Sequence, residues 1–197
     1  SDAQRKGFGN LNYLATVYNG VDISKYTFNE TPSDYLLMVG SIGRHKNQGA
    51  AIRVAKKLGI KLILAGKISD KSYYEDIKKD IDGESIRWLG ETKFEEKLKL
   101  YQGAKAFLFP ILWNEPFGLV MIEAMSCGTP VIAFRNGSTS EVVLDSVTGF
   151  VVDDEHGMIE AVGKIDQISR EACRKYVEEN FTIQKMIDNY EIALKNI

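Results

Sequence analysis

The chain has little cysteine, almost no net charge and no long apolar run, and each shortage excludes a class of protein. Its two cysteines among 197 residues, Cys127 and Cys173, are too few and too far apart for a disulfide framework. We expect free thiols in a reducing compartment, with a single disulfide between them as the alternative. The sequence shows no signal-like segment, so the cytoplasm is the expected location.

The 25 Lys and Arg residues nearly balance the 27 Asp and Glu residues, which gives a net charge of −2. Nucleic-acid-binding domains usually carry a clear basic excess, so we expect no nucleic-acid partner, and any bound phosphate needs a local site. The apolar stretches are interrupted well short of the ~20 residues that span a bilayer, which predicts no transmembrane segment. A peripheral membrane contact of a full-length enzyme stays open.

Short apolar segments alternate with longer amphipathic ones, and this alternation indicates the fold class. Six segments are interpreted as buried strands: residues 35–39, 62–65, 86–89, 106–109, 131–134 and 150–152. Four segments have helical spacing: residues 48–58, 73–81, 94–101 and 118–125. Nearly continuous hydrophobicity suits strands of a parallel sheet that is covered on both faces. The repeated strand–helix pattern predicts an α/β fold with a Rossmann-like, doubly wound parallel sheet.

From about His156 onward the pattern is helical only, and Phe181-Thr182 separates the last two predicted helices. In open parallel sheets the loops that follow the carboxyl ends of the strands form the ligand crevice. The loops after the first, third, fourth and fifth predicted strands are therefore the places where chemistry is expected.

The segment after the fourth predicted strand contains two glutamates in an unusual setting. A helix is predicted to begin near Phe117, which places Gly118 and Leu119 in its first turn, where backbone amides have no acceptor within the helix. Such a turn is a ready anion site, and glycine lets a phosphate approach closely. Glu123 is the only charged residue between Phe117 and Met125, and an ionised carboxylate in apolar surroundings costs several kcal/mol without partners.

Hydroxyl groups of a sugar are suitable partners for Glu123, because they donate hydrogen bonds to a carboxylate. Glu115 precedes the helix, on the loop that faces the same crevice. The spacing alone also fits a plainer interpretation, in which Glu115 is a solvated loop residue near the helix dipole and Glu123 points to water.

The run from Glu115 to Ala133 reads Glu-Pro-Phe-Gly-Leu-Val-x-x-Glu-Ala-Met-x-Cys-Gly-Thr-Pro-Val-Ile-Ala. It resembles the signature of the retaining glycosyltransferases of the GT-B fold that are called group 1 or family 4. Other segments resemble the same family in the same order along nearly the whole chain: residues 17–22, Gly40 with Lys46-Asn47, residues 136–141 and residues 148–150. The resemblance identifies the chain with the C-terminal, donor-binding domain of that family.

The resemblance implies roles for the matching residues. Glu115 is expected to contact the hydroxyls of the transferred sugar and to stabilise positive charge that develops on it. Lys46 is expected to neutralise the diphosphate leaving group, which makes Glu115 and Lys46 the candidate catalytic residues. Glu123 is expected to hold the ribose hydroxyls of the nucleotide. The backbone amides expected to meet the sugar and the phosphates are those of Phe117, Gly118 and Leu119.

Two further loops add donor-binding candidates by the same resemblance. Gly40 follows the first strand, and Gly90 lies where the family cradles the nucleobase. Many members place an arginine directly after the glycine that matches Gly40, but this chain has Ser41 there. We expect Arg44 to reach the phosphate instead, with a merely solvated Arg44 as the alternative.

Other residues near these motifs permit two interpretations each. Trp113 and Asn114 either line the sugar pocket or pack beside Pro110. Glu141 lies near a predicted helix start, where a role towards the helix dipole is expected rather than ligand binding. Neither histidine is expected to act as a general base.

No metal site and no cofactor are expected. Negative charge develops on the departing nucleoside diphosphate, and a preorganised lysine with a helix N-terminus can stabilise it without a divalent ion. The nucleotide diphosphate-sugar, with UDP-, GDP- and ADP-hexoses as the candidates, is expected as a substrate.

The resemblance also implies that the acceptor-binding N-terminal domain is absent from this chain. We expect residues 1–197 to form a single nucleotide-sugar-binding domain that binds its donor but does not turn it over alone. The alternatives are a nucleotide-sugar epimerase or glycosyl phosphorylase of the same fold, and a non-catalytic binding module. A dinucleotide-dependent dehydrogenase is excluded, because no strand is followed by Gly-x-Gly-x-x-Gly.

Overall fold

Six parallel strands form one sheet across residues 1–6 and 8–195, the part of the chain that the computed structural model describes. The strands are β1 (Tyr35–Val39), β2 (Lys61–Ala65), β3 (Ile86–Trp88), β4 (Ala106–Phe109), β5 (Val131–Phe134) and β6 (Gly149–Val152). Their order is β3-β2-β1-β4-β5-β6, and each neighbouring pair is parallel. The order runs outwards in both directions from β1 and β4, which confirms the predicted α/β fold with a Rossmann-like, doubly wound sheet.

Helices connect the strands and close the chain. They are α1 (Gln48–Leu58), α2 (Lys71–Ile77), α3 (Phe94–Gly103), α4 (Leu119–Ser126), α5 (Thr139–Val142), α6 (Glu155–Lys164), α7 (Arg170–Asn180) and α8 (Ile183–Lys195). The predicted helix over residues 73–81 is wrong at its end, because α2 stops at Ile77 and a single 3-10 turn, Lys78–Asp80, follows it. Such turns are common where an α-helix ends. Phe181-Thr182 separates α7 from α8, as predicted.

The core explains why the strand sequences are almost continuously apolar. All four residues of β4 and all four of β5 are buried, because helices cover both faces of the sheet. In the centre, Leu37 of β1 pairs with Ile63 of β2 on one side and with Phe107 of β4 on the other. None of the helices in the described residues combines the length and apolar character that a membrane crossing needs.

Both cysteines are buried free thiols, which confirms that prediction. Burial raises the pKa of Cys127 and the pKa of Cys173 to about 12 each. Two neutral thiols therefore lie in the core as small apolar groups.

The strand order determines where a ligand crevice can form. The connections from β1 and from β4 leave towards opposite sides of the sheet, so the loops after these two strands meet at its carboxyl edge. Asn47 of the first loop donates from Nδ2 to the carbonyl oxygen of Pro110 at 3.0 Å, and the amide of Leu112 donates to the carbonyl oxygen of His45 at 2.9 Å. The two loops are thus fastened to each other.

Helix α7 fastens the other side of the molecule through one buried arginine. Arg170, 9% exposed, donates from Nε to the carbonyl oxygen of Asn29 at 2.7 Å and from Nη1 to that of Ala104 at 2.9 Å. Its Nη2 donates to the carbonyl oxygen of Gln102 and to the hydroxyl of Thr129, both at 2.9 Å. The guanidinium therefore holds the end of α3 against the turn that precedes β5.

We predict that Arg170→Met lowers the free energy of unfolding by about 3 kcal/mol, because buried acceptors that lose their donor carry a desolvation penalty. The matched control is Arg53→Met, since Arg53 is an exposed arginine whose Nε donates to Glu155 Oε2 at 3.0 Å. Loss of an exposed pair should cost less than about 1 kcal/mol. Urea unfolding of both variants measures the two losses in the free energy of unfolding. Equal losses would show that the buried hydrogen bonds of Arg170 stabilise the fold no more than an exposed ion pair does.

Candidate active site

Lys46 and Glu115 form an ion pair where the loops after β1 and β4 meet. The Lys46 Nζ lies 3.0 Å from Glu115 Oε2, and the two side chains are only 17% and 12% exposed. The indole Nε1 of Trp113 donates to the same carboxylate oxygen at 3.0 Å. The structure thus brings together the two residues that the resemblance singles out for catalysis.

The backbone of Glu115 is positioned by the turn after β5. Ser138 donates its amide to the carbonyl oxygen of Glu115 at 3.0 Å, and Asn136 Nδ2 donates to the carbonyl oxygen of Ile111 at 2.7 Å. Gly137 has φ +58°, and a Cβ at this position would lie 2.3 Å from both the amide nitrogen and the carbonyl oxygen of Glu115. Only glycine lets the two backbones approach this closely.

Helix α4 begins at Leu119, two residues after the start predicted near Phe117 and one residue after the first residue of the predicted helical segment 118–125. Gly118 has φ +82° and ψ 61°, a left-handed conformation, so it is the N-cap and the helix begins at Leu119. Phe117 lies before the helix and is buried against Tyr18 and Phe181, with ring centroids 6.0 and 5.7 Å away. Leu119 therefore lies in the first turn as predicted, whereas Gly118 precedes it, and the amide of Met121 already donates to the carbonyl oxygen of Gly118 at 2.9 Å. The first-turn amides left without an acceptor are those of Leu119 and Val120.

A pocket of about 290 Å³ opens between these parts. Its walls are Asn19, Lys46, Phe109 and residues 115–120. A lysine, a carboxylate and a helix start therefore converge on one cavity.

Glu123 has protein partners that the sequence did not reveal. Its Oε1 accepts from the Tyr26 hydroxyl and from Lys97 Nζ, both at 3.1 Å. Its Oε2 accepts from the Tyr101 hydroxyl at 2.8 Å and from the same Nζ at 3.0 Å. The carboxylate, 14% exposed, is therefore compensated by one cation and two phenols.

The two phenols remain protonated donors. Burial, followed by the negative charge of Glu123, raises the pKa of Tyr26 and the pKa of Tyr101 well above the ordinary value for tyrosine. Lys97 and Tyr101 lie one turn apart on α3, which places them on one face of that helix, as their spacing could have suggested. Nothing in the sequence indicates that this face meets Glu123.

A second cavity of about 550 Å³ lies beside Glu123. Its lining residues are Tyr26, Phe94, Leu119, Glu123, Ile183, Lys25 and residues 20–22. Leu119 also lines the first pocket, so the start of α4 lies between the two cavities.

The remaining predicted donor residues differ in their surroundings. No heavy atom lies within 4 Å of where a Cβ on Gly40 or on Gly90 would be, so both glycines border open space. Arg44 instead pairs with Asp76 of α2, with Nη2 2.9 Å from Oδ2, and its guanidinium lies 5.2 Å from the centre of the Tyr73 ring. The structure therefore does not bring Arg44 to the Lys46–Glu115 pair.

Glu141 lies in the first turn of the short helix α5, but its carboxylate is bound by the N-terminal segment. It accepts hydrogen bonds from the amides of Asp2 and Ala3 at 2.7 Å each, and from the Tyr18 hydroxyl at 3.0 Å. Burial and this bond to Glu141 raise the pKa of Tyr18 to about 12. Glu141 thus contacts backbone amides of the chain itself.

One Asp-x-Asp sequence, Asp80-Ile81-Asp82, lies before β3, at the amino edge of the sheet. Asp80 Oδ1 is 2.7 Å from Lys56 Nζ, and Asp82 Oδ1 accepts from two nearby backbone amides at 2.8 and 2.9 Å. Both carboxylates are therefore occupied within the chain. Among the residues that the structure describes, His, Cys, Asp and Glu form no group of three or more suited to a metal ion.

Several known proteins similar to this chain are named as glycosyltransferases. The chain matches the family described as "Glycosyl transferases group 1" over residues 22–184. An uncharacterized glycosyltransferase of Methanocaldococcus jannaschii is 29% identical over 171 residues, which covers 86% of this chain and 48% of the relative. The O-antigen chain mannosyltransferase RfbU of Salmonella typhimurium is 28% identical over 187 residues, which covers 93% of this chain and 52% of the relative. The chain thus spans about half the length of these relatives.

Solved structures share the fold. AviGT4, a glycosyltransferase involved in avilamycin A biosynthesis, superimposes on this chain with a TM-score of 0.86 at 24% sequence identity. The superposition covers 99% of this chain and 62% of AviGT4. HepE of Anabaena, solved in complex with UDP-glucose, has a TM-score of 0.81 at 18% identity and covers 93% of this chain and 57% of HepE. At these identities the likeness concerns the fold alone.

We predict that Gly137→Ala displaces Glu115, whereas Gly59→Ala does not. Both glycines have positive φ, +58° and +67°, but nothing lies within 4 Å of a Cβ at Gly59. Alanine in this conformation costs roughly 1–2 kcal/mol at either position. Overpacking against the Glu115 backbone should add about 1–3 kcal/mol at Gly137 alone.

Urea unfolding curves of the two variants give these costs directly. A Gly137→Ala variant that is no less stable than Gly59→Ala would mean that the turn after β5 does not constrain Glu115.

Proposed function

The chain belongs to the group 1 glycosyl transferases, and from this membership we propose that it is the donor-binding half of a retaining glycosyltransferase. Its donor is a nucleotide diphosphate-hexose, bound in the crevice where the loops after β1 and β4 meet. The transferred hexose passes from the nucleoside diphosphate to an acceptor that the other half of the enzyme binds.

The observation that carries this proposal is the Lys46–Glu115 pair beside the start of α4. Lys46 Nζ and the first-turn amides of α4 supply positive charge and hydrogen-bond donors on one side of the 290 Å³ pocket. Such groups stabilise the negative charge that grows on a departing diphosphate. Glu115 supplies an acceptor for sugar hydroxyls and a negative charge near the carbon atom that becomes positive.

The nucleoside belongs in the neighbouring 550 Å³ cavity, with its ribose hydroxyls on Glu123. Both oxygens of Glu123 already accept two hydrogen bonds, so a ribose hydroxyl has to replace one donor. Lys97 is the donor that can leave, because its flexible side chain is 23% exposed while Tyr101 is fully buried. UDP, GDP and ADP are all compatible with this arrangement, and the HepE complexes with UDP and with UDP-glucose support the ligand class.

Charge neutralisation in this proposal falls to Lys46 and the helix start, so donor binding needs no divalent metal. A lysine point charge is a common partner of phosphate. Binding in EDTA should equal binding in magnesium, and a dependence on magnesium would count against this part of the proposal.

In this proposal a separate domain binds the acceptor, and the chain spans about half the length of its relatives. An apolar surface supports a partner on the side of α8. Leu14, Tyr190 and Leu194 are each at least half exposed there and line a cavity of about 360 Å³ between α8 and the segment before residue 18. Exposed apolar patches of this kind mark surfaces that other proteins or domains cover.

We predict that calorimetric titration with UDP-glucose, GDP-mannose and ADP-glucose detects binding of at least one donor. Lys46→Met and Glu123→Gln should weaken that binding about 10-fold or more, the size of one lost hydrogen bond to a charged group. Lys105→Met is the matched control for Lys46→Met, because Lys105 is a similarly buried and paired lysine, 23% exposed against 17% for Lys46, with Nζ 3.2 Å from Asp166 Oδ2. Lys105 precedes β4, at the opposite edge of the sheet. If no donor binds to a folded chain, a module that interacts with other proteins becomes the better hypothesis.

We also predict that the 197-residue chain binds donor without transferring the sugar. Domain closure normally positions the acceptor and excludes water, and its loss should reduce turnover far below the ~1–10³ s⁻¹ of typical enzymes. Release of nucleoside diphosphate from the bound donor, measured on the calorimetry sample with simple hexoses as acceptors, checks this. Efficient sugar transfer by the chain alone would refute the hypothesis that this chain only binds the donor and that transfer needs a second domain.

A further inference from the structure

Trp113 contacts the candidate catalytic carboxylate directly. It lies two residues before Glu115, and its indole Nε1 donates to Glu115 Oε2 at 3.0 Å. Lys46 Nζ binds the same oxygen at 3.0 Å. Among residues 1–6 and 8–195, no donor contacts Glu115 Oε1 within hydrogen-bond distance. Oε2 therefore accepts two hydrogen bonds from the protein, whereas Oε1 can accept a hydrogen bond from a ligand.

The indole is itself held between the two loops that form the crevice. Its ring lies edge-on to His45, with centroids 5.7 Å apart, and Lys46 Nζ lies 5.1 Å from its centre. His45 and Lys46 come from the loop after β1, whereas Trp113 and Glu115 come from the loop after β4. The ring is 40% exposed, so it also forms part of the crevice wall.

We propose that Trp113 is a positioning residue that fixes Glu115 Oε2 and thereby directs Oε1 to a hydroxyl of the donor sugar. This rests on the proposed function. A diphosphate in the pocket attracts Lys46, so the lysine bond to Oε2 weakens when the donor binds. The indole N–H carries no charge and stays with Oε2, which keeps the carboxylate in the orientation that the sugar needs.

The alternative is that Trp113 only packs the two loops together. The two roles predict different losses of affinity when Trp113 is replaced. In the proposed function the sugar of the donor contacts Glu115, whereas a nucleoside diphosphate without the sugar does not. A positioning residue affects binding of the sugar moiety, whereas a packing residue affects the whole pocket.

The test compares Trp113→Phe with Trp88→Phe in the 197-residue chain. Trp88 is the other tryptophan, and its Nε1 donates to the carbonyl oxygen of Gly66 at 2.9 Å, so both substitutions remove one indole hydrogen bond and keep a ring. Calorimetry measures the affinity for the donor that the wild type binds, and for its nucleoside diphosphate alone. Trp113→Phe should weaken the sugar nucleotide about 5-fold and change the nucleoside diphosphate less than about 2-fold, as one hydrogen bond allows. Trp88→Phe should affect the two ligands equally, because Gly66 adjoins Gly40 and Gly90 rather than Glu115.

Nuclear magnetic resonance adds a readout that packing would not move. The chain has two indole N–H signals, and Trp88→Phe assigns them. Glu115→Gln should shift the Trp113 signal and leave that of Trp88 in place. In the wild type, saturating donor should leave the Trp113 signal close to its carboxylate-bonded position.

Two outcomes overturn the inference while the proposed function survives. One is an equal loss for sugar nucleotide and nucleoside diphosphate in Trp113→Phe, and the other is no loss for either. If the wild type binds none of UDP-glucose, GDP-mannose and ADP-glucose, the proposed function fails and the role of Trp113 fails with it.

Discussion

The reversal of strand order between β1 and β4 is the constraint on which the rest of the site depends. Because neighbouring parallel strands present their carboxyl ends at one edge, the two loops that follow β1 and β4 must meet there. Lys46 comes from one loop and Glu115 from the other, and the 3.0 Å contact between them exists only because the strands are adjacent. Asn47 and the turn at Gly137 then hold the second loop in place from both sides.

The two carboxylates of the site are stabilised in the same way, each by one lysine and by neutral hydrogen-bond donors. Glu115 is bound by Lys46 and the indole of Trp113, and Glu123 is bound by Lys97 with the phenols of Tyr26 and Tyr101. A largely buried charge without partners would be costly, so a cation and neutral donors compensate each carboxylate while the crevice is empty. In the proposed function, the donor replaces part of these contacts, the lysines leave first, and the neutral donors keep the carboxylates oriented.

Much of this could be predicted from the sequence, and the failures have specific physical causes. The strands, the parallel sheet and the division at Phe181-Thr182 follow from local hydrophobic patterns, which are properties of short segments. The predicted start of α4 is wrong because Gly118 is in a left-handed conformation, and a glycine in a sequence does not reveal the sign of its φ. Arg44 was expected near phosphate, yet its direction is determined by Asp76 on a helix 32 residues further along the chain.

The sequence by itself determined the fold class, the family and the positions of Lys46, Glu115 and Glu123 in the loops and helix that border the crevice. The fold class follows from hydrophobic periodicity, and the family and the candidate residues follow from the resemblance of short motifs. Both are properties of short segments of the chain. Only the tertiary structure decided which groups surround each carboxylate. Tyr26, Lys97 and Tyr101 come from segments 22 to 97 residues away from Glu123. Gly137 positions Glu115 because the backbones of the two residues are in contact. Contacts of this kind arise when separate elements pack together, so no pattern within one segment can specify them.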